Sequence, residues 1–176
     1  MLSSYILLDR DGTLIKHVPY LANPDLVELL PNVPEGLRYL AGLGYSFGII
    51  TNQSVIGRSL ATKTAVDSVN NRVLDLLAQQ GVNISFVLMC PHAPEDRCAC
   101  RKPLPQLGLK AVEQYGIDAP SSYMIGDMDL DIEFGVAIGF QTIKITSEPR
   151  SESQPDCATI DLLSAAKYIH SQMNRD

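Results

Sequence analysis

The sequence predicts an α/β protein: one Rossmann-like domain over residues 1–176, with a parallel sheet covered by helices on both faces. Two observations point there. Short apolar runs alternate with longer segments of helical period, the pattern of strand and helix units wound into a parallel sheet. The apolar runs also end in clusters of aspartate, threonine, asparagine and glycine, as strands do where they deliver polar groups to the carboxyl edge of an open sheet. A chain of 176 residues is long enough for one sizeable core, and no repeat or low-complexity linker divides it.

Taken in order, Tyr5-Ile6-Leu7-Leu8 is apolar at every position, as expected of a strand buried on both faces, and Gly12 marks the turn after it. Residues 14–34 hold His17, Pro19, Pro24, Pro31 and Pro34, too much proline for a long helix, so a loop overlying the site is expected. Pro34 suits a first helical turn, and the helix runs through Leu37, Leu40 and Leu43 to Gly42 and Gly44. Phe47-Gly48-Ile49-Ile50 is a second buried strand, entering Thr51-Asn52-Gln53-Ser54. Val66, Val69, Val73, Leu76 and Leu77 place a helix over 62–80, stopped by Gly81. The remaining elements are a strand at 84–89, a helix at 106–115, a strand at 123–125 ending at Gly126-Asp127, a helix at 132–138, a strand at 143–145 and a closing helix at 160–173.

The formal charge of −6, without any run of lysine or arginine, excludes a nucleic-acid binder, whose affinity comes from clustered cations. Asp9 cuts the first apolar run, so the amino terminus does not read as a secretory signal, and no stretch approaches the ~20 apolar residues of a membrane span. A cytoplasmic protein without a membrane partner is expected, and a monomer. In that reducing compartment the four cysteines are expected as metal ligands or buried thiols rather than disulfides.

Asp9 and Asp11 sit two residues apart at the end of the first strand, and two carboxylates there need a counter-charge. Magnesium takes hard oxygen ligands together with substrate phosphate, and an aspartate can itself be phosphorylated as a covalent intermediate. Two more strand ends present Thr51 and Asn52, then Asp127, Asp129 and Asp131, while Lys102 after Arg101 supplies positive charge. A shared sheet edge lets residues more than a hundred positions apart converge.

This set resembles the haloacid dehalogenase superfamily of phosphatases, whose elements match in order over roughly residues 5–145. The resemblance implies that Asp9 attacks phosphorus and that Asp11 donates a proton to the leaving group and later activates water. It implies magnesium held by Asp9, the backbone carbonyl of Asp11 and Asp127, with Thr51, Asn52 and Lys102 on the phosphoryl oxygens. Asp131 is expected to orient lysine or water, and Asp129 to be an exposed residue at a helix start.

Cys90, His92, Cys98 and Cys100 lie within eleven positions, and three thiolates with one imidazole suit a closed tetrahedral zinc. Loop 90–100 leads directly into Arg101 and Lys102, so zinc is expected to position those cations, and the loop to be floppy without it. Cys157 reads as a small apolar side chain, His170 as a surface residue and His17 as a solvated loop histidine. The zinc loop is similar to that of the branch of the superfamily containing heptose-bisphosphate and histidinol-phosphate phosphatases, where it stands in place of a larger cap domain. A small phosphorylated sugar, a heptose bisphosphate first, is the substrate this implies, with Gln53, Arg58 and Arg101 beside Thr51 and Asn52 in its binding. Histidinol phosphate is the alternative substrate, and a zinc-stapled binding module without catalysis the alternative outside enzymes. Val55 and Gln106 stand where that branch usually has glycine, so loops of different shape are expected there.

Overall fold

The computed structural model describes residues 2–148 and 153–173; the outer ends of the predicted domain, Met1 and 174–176, lie outside these, as do 149–152. Six strands, β1 (Tyr5–Leu8), β2 (Ser46–Asn52), β3 (Phe86–Cys90), β4 (Tyr123–Gly126), β5 (Gln141–Ile145) and β6 (Cys157–Thr159), form one sheet. Its order is β3-β2-β1-β4-β5-β6 and every pairing is parallel. The chain builds outward from β1 to β3, then crosses back and builds outward from β4 to β6. The reversal leaves a crevice at the carboxyl ends of β1 and β4, the switch point where open α/β sheets take ligands.

Alternation along β1 explains its unbroken apolar run. Ile6 and Leu8 face a core shared with α1 (Val33–Gly42), α3 (Lys63–Gln79) and α6 (Leu162–Met173). Tyr5 and Leu7 face a second core with α4 (Gln106–Tyr115) and α5 (Asp129–Ala137). Burying one such side chain is worth about 1.5–3 kcal/mol, so a four-residue strand is held by packing on two faces rather than by its length.

Before α1 opens at Val33, the segment from residue 14 contains no long helix, only a 3-10 turn at Pro24–Leu26 capped by the Asn23 side chain. Three elements depart from expectation. α2 (Ser54–Gly57) is a single turn with no periodicity to announce it. β6 is a three-residue strand with Ala158 exposed, so no apolar run marks it, and the last helix starts after it at Leu162. α5 begins at Asp129, three residues before the expected start, because Asp131 folds back to accept a hydrogen bond from the Met128 N–H at 3.1 Å. Among the described residues no helix is long and apolar enough to cross a membrane.

Candidate active site

The turn after β1 is set by Gly12, whose φ of +90° is open to glycine at little cost. Space imposes the same choice: a Cβ there would meet Asp127 Oδ2 at 2.4 Å. The β1 turn is thereby pressed against the end of β4. Gly126 plays the same part on β4, since a Cβ there would lie 2.3 Å from Asp131.

Lys102 enters from the segment before α4 and is almost wholly buried. Its Nζ donates to Asp9 Oδ1 at 2.6 Å, to Asp131 Oδ1 at 2.7 Å and to the Ile50 carbonyl at 2.7 Å. Burial opposes its charge, but Asp9 and Asp131 outweigh that and hold the ammonium above the ordinary lysine range. Its main chain is fixed by Asn52, whose Oδ1 accepts from the Lys102 N–H at 3.0 Å and whose Nδ2 donates to the Lys102 carbonyl at 3.1 Å. The end of β2 therefore places the lysine.

Asp9, Asp127 and Asp131 each offer a carboxylate oxygen within 4.8 Å of the others. Burial pushes Asp9 up to about 7, with Lys102 pulling it down and Asp131 pushing it further up. Burial, then Asp131, also raises Asp127, whose Oδ1 accepts from Thr13 Oγ1 at 3.4 Å. One ammonium does not balance three carboxylates in a poorly solvated crevice. A divalent cation with a preference for oxygen would, and the donor set fits one on Asp9 and Asp127.

Asp9, Asp11, Asn52, Gln53, Arg101, Lys102 and Asp127 line one cavity of about 240 Å³, roofed from segment 14–34 by His17, Val18, Tyr20 and Leu21. That volume is at the small end for ligand sites and suits a small metabolite rather than a polymer. His17 is exposed, as expected, although it reaches the cavity rim. Thr51 is buried, and its Oγ1 accepts from Gln53 Nε2 at 2.8 Å. The same Gln53 amide donates to Asp11 Oδ2 at 2.8 Å. Arg58 lies outside the cavity lining, with Nη2 3.3 Å from Glu95 in an exposed pair that contributes little. Val55 lines the cavity from within α2, in helical backbone, and Gln106 opens α4. Neither has positive φ, so these departures from glycine impose no strain. Asp129 is not a free helix-start residue: it accepts from Lys144 Nζ at 2.6 Å and from Ser153. His170 is half-buried against the Tyr39 hydroxyl at 2.6 Å.

Cys90, His92, Cys98 and Cys100 converge. The thiols are free, with sulfur separations of 3.1 Å (Cys90 to Cys100), 3.5 Å (Cys90 to Cys98) and 3.7 Å (Cys98 to Cys100). His92 Nδ1 lies 3.2 Å from Cys100 Sγ and 3.7 Å from Cys90 Sγ. A tetrahedral zinc with bonds of about 2.3 Å to sulfur and about 2.0 Å to nitrogen has ligand edges of roughly 3.5–3.8 Å, so the cluster fits one with small adjustments. Burial and a hydrogen bond with Cys100 push Cys90 up to about 12. Cys98 comes down to about 7, hydrogen bonds from Cys90 and Cys100 outweighing burial. The loop also has anchors beyond its thiols: Gly57 N–H donates to the Pro91 carbonyl and Gln53 N–H to the Cys90 carbonyl, both at 2.8 Å. Arg101 Nη1 donates to the His92 carbonyl at 3.4 Å, joining this loop to the cavity.

Two residues of the site had no role in the sequence reading. Arg10 is buried beneath Asp11, and Asn70 of α3 meets it from 60 positions away. The only hint in the sequence is a cation between two aspartates.

The fold and the site define a phosphatase of the α/β class, built at the carboxyl edge of a parallel sheet. Residues 99–161 match the family model described as HAD-hyrolase-like. The chain is 38% identical over 130 residues to a probable D-glycero-D-manno-heptose-1,7-bisphosphate 7-phosphatase of Thermoplasma volcanium, covering 73% of this chain and 89% of that one. It is also 38% identical over 143 residues to the histidine biosynthesis bifunctional protein of Blochmanniella floridana, covering 79% of this chain but only 40% of that longer one. Among solved structures, the D,D-heptose 1,7-bisphosphate phosphatase of B. bronchiseptica complexed with magnesium and phosphate superposes with a TM-score of 0.85 at 25% identity, over 96% of this chain and 99% of that one. The chain belongs to the haloacid dehalogenase superfamily of phosphatases, in the branch that holds the heptose-bisphosphate phosphatases.

Proposed function

We propose that this chain hydrolyses D-glycero-D-manno-heptose 1,7-bisphosphate, releasing the 7-phosphate through a phosphoryl group carried on Asp9. The observation that carries the chemistry is the pairing of Lys102 Nζ with Asp9 Oδ1 at 2.6 Å. It holds one carboxylate oxygen and leaves the second for attack on phosphorus. Asp11 gives a proton to the departing sugar oxygen, then takes one from the water that attacks the aspartyl phosphate. Lys102 and Asn52 stand at the cavity wall, where charge grows on the transferring group. Magnesium on Asp9, Asp127 and the Asp11 carbonyl would screen the repulsion between carboxylate and phosphate. Zinc on Cys90, His92, Cys98 and Cys100 would hold the loop that carries Arg101.

Substrate choice rests on cavity charge and on the names of the relatives. Histidinol phosphate brings an amine that calls for a spare carboxylate. Among the described residues lining the cavity, the acidic ones are Asp9, Asp11, Asp127 and Asp131, all used by the chemistry. Glu28 is paired with Lys16 and Glu95 with Arg58, and neither lines the cavity. Arg101, in contrast, brings a guanidinium to the wall, suited to a phosphate that stays behind. Phosphate release should be measured on the heptose bisphosphate, the matching monophosphate and histidinol phosphate. The bisphosphate is expected to have the highest kcat/KM; faster hydrolysis of histidinol phosphate would transfer the assignment to that substrate.

A further inference from the structure

We infer that Arg10, held by Asn70, is the positioning residue for Asp11, a role that rests on the reading of Asp11 as proton donor. Arg10 Nε donates to Asp11 Oδ2 at 3.0 Å and Nη2 donates to Oδ1 at 3.2 Å, so the guanidinium spans both carboxylate oxygens. Nη1 donates to Asn70 Oδ1 at 2.7 Å. The Arg10 side chain is 1% exposed and that of Asp11 21%, so the cation is buried behind a carboxylate that faces the cavity.

Packing alone does not account for this arrangement. Asn70 is a buried polar residue on the helix face that carries Val66, Val69, Val73 and Leu77. An apolar pair would fill the same space without the cost of desolvating a guanidinium and an amide. What the pair provides is direction. A planar fork on a carboxylate fixes its plane as well as its position, and Asn70 fixes the fork in turn from a rigid helix. Gln53 Nε2, 2.8 Å from Asp11 Oδ2, completes the clamp from β2's side. A proton donor misplaced by about an ångström loses most of its effect, which is the reason to clamp it.

The role is separable from simple structural support by leaving-group dependence. An alkyl phosphate needs a proton delivered to its leaving oxygen, whereas p-nitrophenyl phosphate departs without one. Arg10→Met should slow leaving-group release in a single turnover by about 10- to 100-fold for an alkyl phosphate and by less than about 3-fold for p-nitrophenyl phosphate, the later hydrolysis of the aspartyl phosphate being common to both. Arg10→Lys, which keeps a cation but loses the fork, should show the same discrimination. Added to Asp11→Asn, Arg10→Met should cause little further loss. Asn70→Ala removes one bond and leaves the ion pair, so it tests the idea in a protein that keeps its fold; a smaller loss in the same sense is expected. Equal losses on both substrates, or full recovery by Arg10→Lys, would overturn the role of Arg10. If Asp11→Asn itself slowed that release equally from both substrates, the proton-donor reading would be at fault instead.

Discussion

The Lys102 ammonium lies 2.6 Å from Asp9 and 2.7 Å from Asp131, and all three side chains are at most about an eighth exposed. Two anions and one cation share a space that water barely enters, so removal of the cation leaves two uncompensated carboxylates. Lys102→Met should therefore cost about 3–5 kcal/mol of stability without added divalent ion. Denaturant unfolding measures the first effect, and phosphate release should show turnover lost as well. A variant as stable and active as the parent would contradict this account of the triad.

The raised Asp9 carboxyl gives a pH dependence with a definite sign. Its ordinary value is near 4 and burial takes it to about 7. The folded state then holds a proton that the unfolded chain has released, so metal-free stability from this group falls as pH rises from about 4 to about 7. Magnesium competes with that proton. The rise in Tm on adding magnesium should grow across the same window, being at least twice as large at about pH 8 as at about pH 5.5. A thermal-shift series with a magnesium effect independent of pH would contradict it.

Much of this arrangement is legible in the sequence because it is local. The unbroken apolar run of β1 announces burial on two faces, and Asp9 and Asp11 follow it directly. Cys90, His92, Cys98 and Cys100 sit within eleven positions, so their convergence needs only a short loop. What escaped depends on distance or on small elements. Asn70 reaches Arg10 across 60 positions, and a polar residue in an apolar helical stripe does not name its partner. Gln53 and Asn52 face inward to hold Asp11 and Lys102, which residue type cannot reveal. Arg58 was expected at the substrate, but the one-turn helix α2 directs it to Glu95.

Metal analysis of protein purified without chelator should return about one zinc per chain. Cys98→Ser should abolish it and raise KM more than it lowers kcat, because Arg101 hangs from the His92 carbonyl on this loop. The loop should keep part of its order in that variant, since Gly57 and Gln53 hold it through backbone hydrogen bonds. Zinc-free protein with unchanged KM would oppose this role.

Arg101→Ala tests the anchor for the retained phosphate. It should reduce kcat/KM about 10-fold or more for the bisphosphate and about 3-fold or less for a monophosphate. Parallel steady-state assays on the two substrates decide the matter, and equal losses would argue against a second phosphate at Arg101. Arg58→Ala should change neither by more than about 2-fold, its partner being an exposed glutamate.

Acid-quenched single turnover shows whether the phosphoryl group rests on Asp9. Asp11→Asn protein should be mixed with an aryl phosphate and magnesium, because loss of the base slows hydrolysis of the intermediate while the leaving group departs unaided. Mass spectrometry of the digested protein should find one phosphoryl group on the peptide containing Asp9, rising and then decaying with time. Absence of that species at every quench time, with phosphate still released, would rule out a phosphoryl group carried on Asp9.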